Sequence, residues 1–362
     1  MDIRAGQIVL FYLFDVADTI DLQVISRLIG GATAAKLLPK QATPPHVQYD
    51  KPPLSFDGEV VGLHEVDGFK ARIRLFDYGV VSIALTRPFS GSWGDLVGLG
   101  QTLIESDELE QRAEAMCQTI VERTRAALIG LRATWVQEDY LVYVVNELER
   151  PDTAEQLLAE RGDQIAVMLR GERQKLSEQE KTTILRHRIS YLVDDLVIPT
   201  WNAAFVYDTP TGAQAALEIV EFANSQLLEY RYYDQRLDGE LASIYARLQQ
   251  PGWFDQWRGS RYTRAARQVH ALFIEVNEVT DRTENALKFI GDIYAARLFW
   301  LVAERLGLST WKADIETKLK TLDDIYRFAV EQASSARGNF LELTIVAILV
   351  LELVLFFMGI MT

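Results

Sequence analysis

Asp194 and Asp195 are the nearest thing in this sequence to a catalytic carboxylate pair. They sit in a stretch, Arg188–Val197, that reads as a strand ending at Pro199. Neighbours on a strand face opposite ways, so the two acids would not converge on one atom. Glu275, Glu278, Asp281 and Glu284 have helical spacing and the oxygen chemistry of a cation site. They fall mostly off the apolar seam of their helix, which reads as a solvated face. Asp15, Asp18 and Asp21 precede the apolar positions Val24, Ile25, Leu28 and Ile29, and read as helix caps rather than metal ligands. The single cysteine, Cys117, lies in a helical pattern and reads as a buried, inert thiol. One cysteine excludes an internal disulfide and a cysteine-based zinc site. His46, His64, His187 and His270 are too widely spaced to form a local ligand pair. Ser90–Gly100 is rich in glycine but has neither G-x-G-x-x-G nor G-K-[ST], so it reads as a turn into a helix. No catalytic residues, metal or cofactor are expected, and the chain is expected not to be an enzyme.

The residues that break the chemical pattern most sharply are Glu342 and Glu352. From Phe340 to Met361 the chain is apolar apart from Glu342, Thr344 and Glu352. A helix of that length would measure about 30 Å, the depth of a hydrocarbon core. A single transmembrane tail anchor over 339–362 is therefore expected. Glu342 would lie at its boundary and Glu352 near its middle, where an ionised carboxylate costs roughly 2.5–3.5 kcal/mol. Glu352 is then protonated, pairs with a neighbouring helix, or lines a watery path. Lys318, Lys320, Arg327 and Arg337 precede the run, which predicts a single-pass protein with the bulk of the chain in the cytoplasm. Ile8–Phe14 is too short for a span and no signal peptide is expected.

The elements that must carry these residues divide into three expected parts: an α/β head over 1–209, a helical stalk over 210–338 and the tail over 339–362. The fold class is α+β. In the head, Ile8–Phe14 reads as a buried strand, Phe69–Phe76 and Gly79–Leu85 as paired strands, and Asp139–Leu148 as another strand. Val60–Leu63 is expected as a strand, 39–58 as a proline-rich loop, and Ser106–Leu131 as one long helix. Thr153–Glu160 and Ser177–Leu185 read as helices, the second opening on the capping box Ser177-Glu-Gln-Glu180. Beyond Thr211 the chain reads as helical. Leu272, Val276, Val279, Thr283, Ala286, Ile290, Ile293, Arg297 and Leu301 form one seam; Trp311, Ile315, Leu319, Leu322, Tyr326, Ala329 and Ala333 form another. Gly307 and Ser309 join the two helices, giving an antiparallel hairpin. Arg258, Arg261, Arg264 and Arg267 recur at threes, as a stripe either for a partner or for nearby acids.

A net charge of −14 argues against a nucleic-acid backbone as direct partner, since counterion release needs clustered cations. Four segments resemble the "required for meiotic nuclear division" proteins. They are Phe76-Asp-Tyr-Gly-Val-Val81, Pro251-Gly-Trp-Phe-Asp-Gln-Trp257, the helical hairpin, and the pair Phe340-Leu-Glu-Leu and Leu351-Glu-Leu-Val354. Tyr78, Gly79, Trp253 and Trp257 carry the resemblance within the first two. It implies an N-terminal α/β domain, a helical domain and a membrane anchor, with no established catalytic residues. The expected function is a membrane-anchored, non-enzymatic scaffold or tether, homo-oligomeric and bound to a protein partner. The alternative is an oligomeric ion channel or transporter similar to the CorA type, which joins an α/β domain to stalk helices and a membrane part.

Overall fold

The computed structural model describes residues 2–29, 33–34, 52–63, 68–104, 106–150, 152–248, 274 and 293–357. In its last helix, side chains are described at 308–325, 327 and 344–350. In chain order the elements are β1 (Ile3–Asp15), β2 (Thr19–Ile20), α1 (Leu22–Leu28), β3 (Thr33–Ala34), β4 (Leu54–Asp57), β5 (Lys70–Leu75), β6 (Val80–Gly91), α2 (Trp93–Ile104) and α3 (Asp107–Thr124). There follow β7 (Leu128–Ile129), β8 (Val136–Leu148), α4 (Ala154–Arg170), α5 (Glu178–Arg186), β9 (Leu196–Pro199), β10 (Ala203–Tyr207), α6 (Pro210–Leu248), α7 (Ile293–Arg305) and α8 (Leu308–Phe357). The chain divides into one unit of Met1–Tyr232 with Asp281–Lys312, and a second of Tyr233–Thr280 with Ala313–Thr362.

The first unit is built on an eight-stranded sheet in the order β3-β4-β5-β6-β1-β8-β10-β9. Every pairing is antiparallel except β8 with β10, which needs a crossover and obtains it from α4, α5 and β9. The strand made first is central: β1 pairs with β6 along one side and β8 along the other. Its apolar run is continuous because both faces are covered. Ile8, Leu10, Tyr12 and Phe14 join a core with Trp93, Leu96, Met116, Ile120, Leu157 and Ile165 from α2, α3 and α4. Val9, Phe11 and Leu13 point to the other face and are equally buried. That face meets α6, which packs with α7 through Phe222 and Phe299, their ring centroids 5.6 Å apart.

Local signals explain most boundaries. Asp21 caps α1 by accepting from the amides of Gln23 and Val24. Thr153 and Gln156 close a full capping box on α4. Ser177 accepts from the Glu180 amide at 3.2 Å, the forward half of the expected box. The expected pairs of strands around Asp77–Gly79 and the strand through Asp139–Leu148 are present. Other readings change. Gly58–Val61 is a 3-10 turn, not a strand, closed by Gly62 in the left-handed region. A strand, β4, lies within the expected loop. Helix α3 ends at Thr124, where the Thr124 hydroxyl turns back onto the Ile120 carbonyl and a 3-10 turn leads into β7. The glycine-rich run is mostly the helix α2 itself, and β9 is confined to Leu196–Pro199.

In the second unit, Ile315, Leu319 and Leu322 of α8 are buried at the expected seam spacing. Lys318 binds Asp234 at 2.7 Å and Asp238 at 2.6 Å, both on α6 and one turn apart. The larger correction concerns the tail. Among the described residues, no helix is long and apolar enough to cross a membrane. The expected transmembrane tail anchor over 339–362, and with it the single-pass membrane placement with a cytoplasmic bulk, is withdrawn on this finding. Glu342 and Glu352 lie on α8, but their side chains fall outside those described. Trp253, Trp257, the arginine stripe 258–267, the acids 275–284 and most of the first seam also lie outside the described residues.

Candidate functional site

The first unit concentrates its buried polar groups where α6 crosses the sheet. Along α6, Glu218, Glu221, Ser225, Glu229 and Tyr232 recur in steps of three and four, which sets them on one face. Glu221, Asn224, Ser225, Gln226 and Glu229 are all buried. Burial of that many polar groups is tolerable only if they find partners.

Three arrangements supply them. At one end, Arg74 rises from β5 into the face of α6 and is 2% exposed. Its Nη1 lies 2.7 Å from Glu221 Oε2 and its Nη2 donates to Glu218 Oε1 at 3.3 Å. The Glu221 contact is an ion pair without hydrogen-bond alignment, so both Glu221 oxygens lack a hydrogen-bond donor among the described residues. Gln214 extends the chain, donating to Glu218 at 3.1 Å and accepting from Arg72 at 3.4 Å. Ser82 on β6 pairs with Arg74 in register, and its buried hydroxyl has no hydrogen-bond partner among the described residues.

In the middle, Tyr78 stands in the turn between β5 and β6. Its hydroxyl lies 2.6 Å from Ser225 Oγ and accepts from Gln226 Nε2 at 3.0 Å. Ser225 in turn lies 2.7 Å from the Phe222 carbonyl and donates to it. Burial holds the Tyr78 phenol well above its ordinary pKa, so it stays a neutral donor. The turn can exist only because residue 79 is glycine, with φ +97. Its carbonyl accepts from the Val16 amide at 3.0 Å, tying the turn to the end of β1.

At the far end, Arg132 donates to Asp15 from Nε and to Asp18 from Nη1, each at 2.7 Å. Its guanidinium carbon lies 3.5 Å from the centroid of the Tyr232 ring, a cation–π contact. Asp15 and Asp18 are therefore arginine ligands rather than helix caps; of the three aspartates, Asp21 alone caps α1. Asp15 is fully buried and its second oxygen has no donor among the described residues. Burial pushes its carboxyl up to about 7, against the opposing pull of Arg132.

That shift has a sign that can be measured. An aspartate that titrates near 3.8 when unfolded and near 7 when folded holds its proton longer in the folded state. The stability it contributes is complete below about pH 4, falls as pH rises through 7, and is flat above. Asp15→Asn is expected to remove a decline on the order of 1–3 kcal/mol between pH 4 and 8. The check is urea denaturation of both proteins across that range; parallel pH curves would refute the assignment to Asp15.

Residues 5–214 match the family described as "Uncharacterized protein MJ0711, N-terminal domain". The chain belongs to that family. Its similarity to a curated member, uncharacterized protein MJ0711 of Methanocaldococcus jannaschii, is 26% identity over 221 residues. The match covers 60% of this chain and 65% of the relative, so the chain spans just under two thirds of that protein's length. No solved structure matches. The match to the MJ0711 N-terminal domain thus takes in the sheet from the third residue of β1 onward, with Asp15, Arg74, Tyr78 and Arg132. Its matched span stops at the start of α6, before the partners Glu218, Glu221, Ser225 and Tyr232.

Of the residues singled out from sequence, the structure brings Tyr78 and Gly79 into this polar seam. Asp194 and Asp195 lie elsewhere: both Asp195 oxygens accept backbone amides, from Tyr191 and Leu192. Cys117 is fully buried, and burial raises its thiol well above the ordinary value. Arg74, Glu221 and Arg132 were missed. The available signals were a lone arginine amid apolar strand residues and the three-and-four spacing of polar residues along α6.

Proposed function

We propose that the chain is a non-enzymatic scaffold, with an α/β unit that holds a protein partner and a helical unit that brings copies together. The observation that carries this reading is at the end of α8. Ile345, Val346, Ile348, Leu349 and Val350 are each more than half exposed. At 100° per residue these five positions spread over about 200° of the helix, a broad apolar face that lies open. Apolar surface of this kind is a driving force for association at about 25 cal/mol per Å² buried. The second copy is the natural occupant because it brings the same surface. In support, the buried charges of the α/β unit are directed at each other: Arg74 at Glu218 and Glu221, Arg132 at Asp15 and Asp18. They bind α6 to the sheet. The ion-channel alternative needs a membrane-crossing helix and is not carried further.

Sedimentation equilibrium of the full chain tests the reading. The parent is expected to be oligomeric at micromolar concentration, and Ile345→Asp/Leu349→Asp to be monomeric with an unchanged circular dichroism spectrum. A monomeric parent at tens of micromolar would remove self-association from the proposal.

A further inference from the structure

We draw no further inference here: the strongest candidate, the cluster of buried oxygens of Ser82, Glu221 and Asn224 between β6 and α6, belongs to the polar seam already described, and nothing among the described residues shows what it would hold.

Discussion

Arg74→Met is expected to destabilise the α/β unit by about 3–5 kcal/mol, the effect of stranding a buried charge. The substitution keeps most of the side-chain volume and removes only the guanidinium. Glu221, 1% exposed at its side chain, then has no cation and no hydrogen-bond donor. Glu218 is better placed, with 12% exposure and Gln214 still donating to it. Most of the loss therefore belongs to Glu221, and Arg74→Met/Glu221→Leu is expected to recover most of it. A matched apolar pair in place of a buried ion pair is often neutral or better. Urea denaturation followed by tryptophan fluorescence measures both, because Trp93 lies in the same unit and is buried. A single variant within ~0.5 kcal/mol of the parent, the range of ordinary surface changes, would show that Arg74 is not holding α6.

Gly79→Ala is expected to be at least as damaging, about 3 kcal/mol or more, for a different reason. A Cβ built on Gly79 would stand 1.7 Å from the Ala17 carbonyl oxygen, and φ +97 is a conformation that L side chains rarely adopt. The obstacle is backbone on both sides, so no rotamer change relieves it. The turn must move, and with it the Val16–Gly79 hydrogen bond and the Tyr78 hydroxyl. Gly98 is the control. It lies within α2, and a Cβ there meets nothing within 4 Å. Gly98→Ala is expected to stabilise by roughly 0.5–1 kcal/mol through helix propensity. Thermal denaturation of the pair should move in opposite directions; a Gly79→Ala protein with parental Tm would mean the turn is looser than its contacts require.

Legibility in the sequence followed the range of the interaction. The strand through Ile8–Phe14, the paired strands around Asp77–Gly79 and the caps Asp21 and Ser177 depend on neighbours a few residues away, and their patterns were readable. Where a residue's role is set by a distant partner, the reading failed. Asp15 and Asp18 look like caps until Arg132 arrives from 117 and 114 positions away. Glu221 looks like a surface acid until Arg74 is opposite it. The 3-10 turn at Gly58–Val61 carries apolar β-branched residues that suit a strand, but Gly62 at φ +74 closes it. At the tail, hydropathy alone suggested a span, and the described residues contain no helix that meets the length and apolarity required.

The central place of β1 bears on how the chain comes off the ribosome. The first strand synthesised needs two neighbours, and the second, β8, is complete only at Leu148. Its other face is covered only when α6 has emerged, some 80 residues later at translation speeds of about 5–20 residues per second. For several seconds the nascent chain therefore carries a long apolar strand with both edges paired and one face bare. Gln7 and the bulge at Gly6 interrupt the regularity of β1 at its start, a device that blunts an edge while β8 is still unmade.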